Sequence, residues 1–189
     1  MARLLRAGER IAKPWKNGGG VTTDVAVHPP LAGLDDFLWR VSIAEVRSNG
    51  PFSRFPGIDR TLAVLDGAMR LAIGDREPVM LAADSDPIVF SGDAPADAVL
   101  IGGPLTDLNV MTRRGVFDAR VTRHRAPATF RSAGGPILLI ARTGLSVSLS
   151  GDAFDLRTRD ALSIGDEDGE VRVASPEPDF HRVEILRAR

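Results

Sequence analysis

The chain has 189 residues, 43% of them apolar and 26% charged, with a formal net charge of −1 at pH 7. That is enough apolar material for one large or two small globular domains, and so even a charge balance offers no basic field to a polyanion, which argues against nucleic acid as a partner. Cysteine is absent, excluding disulfides, thiolate metal sites and a cysteine nucleophile.

Most of the chain alternates apolar and polar residues with a period of two, the pattern of strands that bury one face. In chain order, strands are predicted at 21–27, 37–46, 60–65, 69–73, 79–82, 88–90, 98–101, 108–112, 117–122, 136–141, 145–150, 171–174 and 181–186, with a short helical turn at 31–36. Turn signals separate them, among them Asn49-Gly50-Pro51, Asp66-Gly67, Gly102-Gly103-Pro104, Gly134-Gly135-Pro136 and Asp168-Gly169. With 19 glycines and 13 prolines spread along the chain, long helices have little room. The expected class is all-β, a sandwich or barrel, and the length allows two such units. Composition changes near Gly115, dividing the chain into 1–115 and 116–189, with strands possibly exchanged between the two segments.

The first twenty residues are cut by Arg3, Arg6, Glu9 and Arg10 and lack the apolar core of a secretory signal. No stretch approaches a membrane span, so a cytoplasmic location without membrane contact is expected. His28, His124 and His181 are too far apart for a local metal motif. His28 and His124 are expected at the surface, and His181 is read as structural.

Four polar clusters stand out. In Pro14-Trp15-Lys16-Asn17-Gly18-Gly19-Gly20 the glycines permit close backbone approach, while Lys16 and Asn17 offer an ammonium and an amide to a carboxylate. Along 37–46, Trp39, Val41 and Ile43 share one side, leaving Arg40, Ser42 and Ala44 on the other, where a strand holds the Arg40 guanidinium rigidly. The third cluster, 50–67, has a Pro- and Gly-rich approach carrying Phe55, then a strand beginning near Arg60. The fourth, 107–114, puts Asp107, Asn109 and Met111 on the face opposite Leu108 and Val110; an Asp and an Asn there are costly in a core unless hydrogen-bonded. Taken singly, each cluster also reads as an ordinary loop or a solvated strand face.

Taken together and in this order, Pro-Trp-Lys-Asn-Gly-Gly-Gly at 14–20, Trp-Arg-Val-Ser-Ile-Ala-Glu-Val at 39–46, Gly-Pro-Phe-Ser-x-Phe-Pro-Gly-Ile-Asp-Arg at 50–60 and Asp-Leu-Asn-Val-Met-x-Arg-Arg at 107–114 resemble the HutD/Ves family of bicupins. The resemblance covers about the first 115 residues. It implies two cupin-like, jelly-roll β-barrels, 1–115 and 116–189, the first carrying a polar pocket, and a link to histidine utilisation through binding of a small metabolite such as N-formylglutamate or urocanate. Asp24 departs from the family, which more often has Glu there. The segment 55–73 has the layout of a first cupin motif but carries Phe, Pro, Ile, Asp and Arg where a metal-binding cupin has histidines and a glutamate.

These readings lead to a metal-free pocket, with no cofactor, for a small organic acid. Trp15, Lys16, Asn17, Arg40, Glu45, Phe55, Arg60, Asp107, Asn109 and Arg113 are the expected ligand-binding residues. Lys16, Arg40 and Arg60 are the candidate cations, Asn17, Asn109 and Glu45 orient the ligand, and Glu45 or Asp107 holds the cations. The competing expectation is a metal-independent isomerase, epimerase or hydrolase with Lys16 or Glu45 as base. A third is a structural bicupin whose motifs hold the barrels together. A protein partner and a homodimer are left open.

Overall fold

The computed structural model describes residues 1–132 and 134–188. Among them the strands are, in chain order, β1 (Arg3–Leu5), β2 (Ala12–Pro14), β3 (Gly20–His28), β4 (Trp39–Val46), β5 (Gly50–Pro51), β6 (Ile58–Ile73), β7 (Val79–Ala82), β8 (Ile88–Ser91), β9 (Ala96–Arg113), β10 (Phe117–His124), β11 (Ala128–Arg131), β12 (Ile137–Ala141), β13 (Leu145–Leu149), β14 (Asp152–Leu156), β15 (Ala161–Ile164), β16 (Glu170–Val173) and β17 (Phe180–Arg187). The class is all-β: the described residues form no α-helix, only a 3-10 turn at Ala7–Glu9. Among the described residues no helix is long and apolar enough to cross a membrane. The helical turn expected at 31–36 is a pair of plain turns.

The chain divides into two compact units, one of Ile11–Phe117, the other of Met1–Arg10 with Asp118–Arg189. The first ten residues therefore leave the segment that composition assigns to them. The cause is local. β1 pairs antiparallel with β15, Arg3 opposite Ser163 and Leu5 opposite Ala161. Asp160, just before β15, accepts hydrogen bonds from the Ala7 amide at 2.7 Å, the Arg6 guanidinium at 2.7 Å and the Arg157 amide at 2.9 Å.

In the 11–117 unit one sheet runs β2-β3-β4-β9-β6-β7, with β5 also on β9 and β8 also on β6. Two of its strands pass straight through segments expected to be turns. β6 continues across Asp66-Gly67 and β9 across Gly102-Gly103-Pro104, with register shifts on either side of Asp66. Gly67 adopts φ +82°, and a Cβ there would sit 2.9 Å from the Leu105 Cβ. A glycine at such close approach makes a bulge that bends a strand rather than ending it. The bend folds the sheet around a core of Val46, Leu62, Val64, Met69, Leu71, Leu81, Phe90 and Leu105.

The other unit packs the sheet β1-β15-β12-β17-β10 and the sheet β11-β16-β13-β14 around a core that includes Ile137, Leu139, Val147, Leu162, Val171 and Phe180. β11, β14 and β15, each four or five residues long, lie outside the strands expected from the sequence. The placement of two histidines needs correcting: His28 and His124, expected at the surface, are half-buried, His28 stacked on Trp39 with ring centroids 5.6 Å apart and His124 on Phe180 at 5.0 Å. His181, read as structural, is buried.

Asp160 is buried, and its donors hold its carboxyl below the usual carboxylate range despite the opposing effect of burial. A lowered folded pKa gives stability that is present above the unfolded value near 3.9 and is lost as the pH falls through the folded one. Asp160→Ala is expected to lower unfolding free energy by about 2 kcal/mol at pH 7, measured as a fall in the urea midpoint. That deficit is expected to shrink toward pH 3.

Candidate functional site

Along its C-terminal half, β9 lies between β4 and β6, and the register decides which side chains share a face. Arg40, Ser42 and Ala44 of β4 stand opposite Met111, Asn109 and Asp107 of β9. Those three stand opposite Arg60, Leu62 and Val64 of β6, and Asp24 of β3 stands opposite Ser42. Paired residues in a sheet point to the same side. Arg40, Ser42, Arg60, Asp107, Asn109 and Asp24 therefore share the face that also carries Leu62, Val64 and Val46 into the core. Trp39, Val41, Ile43, Leu108 and Val110 occupy the other face and are buried as well.

Arg60 is only 2% exposed. Its guanidinium carbon lies 5.2 Å from the centre of the Phe52 ring, 5.7 Å from Phe55 and 5.1 Å from Phe90, an arrangement in which ring quadrupoles partly replace lost hydration. Nη1 donates to the Ser53 carbonyl at 3.2 Å, while Nε is buried without a partner. Burial pulls the guanidinium down to about 10 against the raising effect of Asp107, with Arg40 lowering it further.

Asp107 is 1% exposed, its Oδ2 has no partner, and Asn109 Oδ1 is likewise orphaned. Burial pushes the Asp107 carboxyl up to about 7, with Arg60 pulling in the opposite direction. Orphaned buried polar atoms are rare in folded proteins. Here one donor and two acceptors lie on a single face.

Arg40 has a partner already. Its Nε donates to Asp24 Oδ1 at 2.6 Å, and the other Asp24 oxygen meets Lys13 Nζ at 2.7 Å. The shorter carboxylate at position 24 thus still reaches the guanidinium across the strand pair.

The remaining expected residues go elsewhere. Trp15 is half-buried and donates from Nε1 to Thr22 Oγ1 at 2.7 Å, flanking the face without presenting a free polar atom. Its ring packs so closely on Gly20 that a Cβ there would fall 3.1 Å from it and 2.5 Å from the Glu45 carbonyl, which gives that glycine a packing role. Lys16 is exposed in the turn, and Asn17, also exposed, accepts from the Gly19 amide at 3.0 Å. Glu45 corrects the sequence reading: it stands opposite Thr106, on the other side of the sheet from Arg40, and pairs with Arg47 at 2.9 Å in solvent. Arg113 lies at the far end of β9, where it donates to the carbonyls of Asp35 and Phe37 and clamps the loop before β4. Phe55 covers Arg60 as part of the aromatic lining.

Sequence reasoning passed over Asp24, Ser42, Phe52 and Phe90 as site residues. Alternation outward from Arg40 could have signalled Ser42. The ion pair of Asp24 and the ring of Phe90 depend on pairing between distant strands. As a metal site the face does not fit, since its only carboxylates are Asp24, held by two cations, and Asp107, and no histidine lies on it. Among the described residues no group of three or more His, Cys, Asp and Glu could hold an ion. A hollow of about 480 Å³ lies in the other unit, on the outer face of the four-stranded sheet. Its Arg131 and Arg172 are largely exposed and 3.9 and 3.8 Å from Glu170, a solvated arrangement of little binding power.

The model of the HutD family matches residues 7–179. The chain belongs to the HutD family. An uncharacterized 21.2 kDa protein in the hutC 3' region of Pseudomonas putida is 35% identical over 151 residues, spanning 79% of this chain and 78% of that protein. HutD from Pseudomonas fluorescens SBW25, solved in a formate condition, superimposes with a TM-score of 0.86 at 28% identity over 100% of both chains. A cupin 2 conserved barrel domain protein from Leptotrichia buccalis is similar in fold at a TM-score of 0.62 and 10% identity, covering 98% of this chain and 96% of that one. The family chain described here thus has a cupin-type β fold.

The raised Asp107 carboxyl has a consequence for the family member without ligand. Between the unfolded value near 3.9 and about 7 the folded protein holds the extra proton, so stability falls as pH rises through that window. Asp107→Asn, which cannot ionise, is expected to gain stability relative to wild type between pH 5 and 8 by at least about 1.4 kcal/mol, the equivalent of one pH unit. Chemical denaturation at the two pH values measures the difference.

Proposed function

We propose that the inner face of the 11–117 unit binds a small organic acid without a metal ion, and that the protein acts in histidine utilisation as a metabolite-binding regulator rather than as an enzyme. Each unit is read as one cupin-like barrel, the first carrying the site. The observation that carries the reading is the trio of unpartnered buried atoms, Arg60 Nε, Asn109 Oδ1 and Asp107 Oδ2, beside a guanidinium that has only one hydrogen bond. An acid anion placed there supplies the acceptor that Arg60 lacks, in a dry setting where a charge-assisted bond is strong. Phe52 and Phe55, on the loop between β5 and β6, form the cover past which the ligand enters. The link to histidine utilisation rests on the family and on the names of the relatives, one from a hutC region and one called HutD. N-formylglutamate and urocanate are the ligands this reading names. The enzymatic alternative loses support, because Lys16 and Glu45, the bases it requires, are exposed away from this face.

Calorimetric titration of N-formylglutamate and urocanate is the test. Wild type is expected to bind at least one of them and return it unchanged. Arg60→Gln is expected to weaken binding about tenfold or more, the range for a lost charge-assisted hydrogen bond. Arg40→Ala is expected to weaken it too, by leaving Asp24 with only the largely exposed Lys13 to balance its charge on the face, whereas Lys16→Ala binds like wild type. Equal affinity across all four proteins sinks the reading.

A further inference from the structure

Arg60 and Asp107 share one dry face, yet neither a hydrogen bond nor an ion pair joins them. Arg60 is paired in register with Met111, and Asp107 with Val64, four positions further along β6. At 3.3 Å per residue their backbones are about 13 Å apart along the strands. The two side chains sense each other's charge across this span. Between them stand Leu62 and Asn109, the latter with its orphaned Oδ1. The unpartnered Nε of Arg60, the Asn109 oxygen and the unpartnered Oδ2 of Asp107 therefore line a single row.

The charges around this row are few. On β4 the residue opposite Asp107 is Ala44, and the nearest cation of that strand, Arg40, is bound to Asp24 of β3. Lys13 of β2 meets the outer oxygen of Asp24 and is largely exposed. On β6 the residue opposite Asp107 is Val64, and the charge is that of Arg60. On β9 itself, Arg113 is tied to carbonyls at the far end. No charge comes from β8, whose Phe90 pairs with Arg60. The charges of the face, buried Arg40 with half-buried Asp24 and buried Arg60 with buried Asp107, cancel.

An acid anion brought to Arg60 breaks that balance, placing a second negative charge before a cation that already compensates Asp107. In a low-dielectric setting, two carboxylates sharing one guanidinium do not both stay ionised. We propose that filling this row with an organic anion is coupled to the uptake of one proton by Asp107, so that the site takes up acid and proton together. The protonated carboxyl then presents an O–H donor where its neighbours, the Asn109 oxygen and the ligand carboxylate, are acceptors. This removes an orphan as well as a charge. The proton comes from solvent and sits on Asp107; no bond in the ligand changes. Asp107 acts here on the binding equilibrium and, in this reading, not as a catalyst. The inference rests on the reading of the inner face as an anion site.

The test uses the full chain and N-formylglutamate, whose carboxyls stay ionised from pH 6 to 9. Dissociation constants for wild type and Asp107→Asn are measured across that range, and the wild-type titration is repeated at pH 8 in two buffers of different ionisation heat. Wild-type affinity is expected to fall toward tenfold per pH unit above pH 7, with close to one proton taken up per ligand. Asp107→Asn is expected to show no such slope and to bind more tightly than wild type at pH 9. Binding by wild type with a flat pH profile and no proton uptake overturns the coupling and leaves the anion site standing, as does the same slope in Asp107→Asn. Failure of wild type to bind at any pH overturns the anion site and the coupling with it.

Discussion

Along its C-terminal half β9 is hydrogen-bonded to β4 on one side and β6 on the other, which locks the alternation of three strands into common register. A slip of one residue in either pairing would move every side chain of that strand to the opposite face. With the register as it stands, two arginines, an aspartate and an asparagine meet on a face that is otherwise part of an apolar core. The aromatic lid, the orphaned atoms and the raised carboxyl all follow from that coincidence of parity.

Burial of Arg60 would be prohibitive if the guanidinium met only aliphatic groups. Three phenyl rings soften the loss of water, and Asp107 opposes part of the desolvation from a distance. Direct contact between the two would have closed the row into a finished ion pair. Their separation leaves both with unmet hydrogen-bonding capacity, a feature of binding faces more than of structural cores.

Much of this face was legible in the sequence, because strand parity is a local property. The residues around Trp39 place Arg40 and Ser42 on one side, and those around Leu108 place Asp107 and Asn109 together. What parity cannot tell is which face of one strand meets which face of another. Asp24 and Phe90 join the face only through such pairing, whereas Glu45, five positions from Arg40 on the same strand, has the opposite parity, so alternation by itself already turns it away from Arg40, as its place opposite Thr106 bears out. Lys16 beside three glycines suggested a cradle, yet one of those glycines is needed to admit the Trp15 ring. Asp66-Gly67 carries the residues of a tight turn and makes a bulge instead, since its surroundings include Leu105, distant in sequence and brought there by the pairing of β6 with β9.

The pairing of β1 with β15 also imposes an order on assembly. As the chain emerges during synthesis, the sheet of β2 to β9 can complete its pairing before β12 to β17 exist, whereas residues 1–10, made ahead of that sheet, must wait for β15 before β1 finds its neighbour and Asp160 its donors. Until then the leading segment is an unpaired strand, open to capture by nascent neighbours. A tag or fused protein joined ahead of β1 therefore sits beside an edge strand of the unit built mainly from the opposite end of the chain, not of the unit that follows it in sequence.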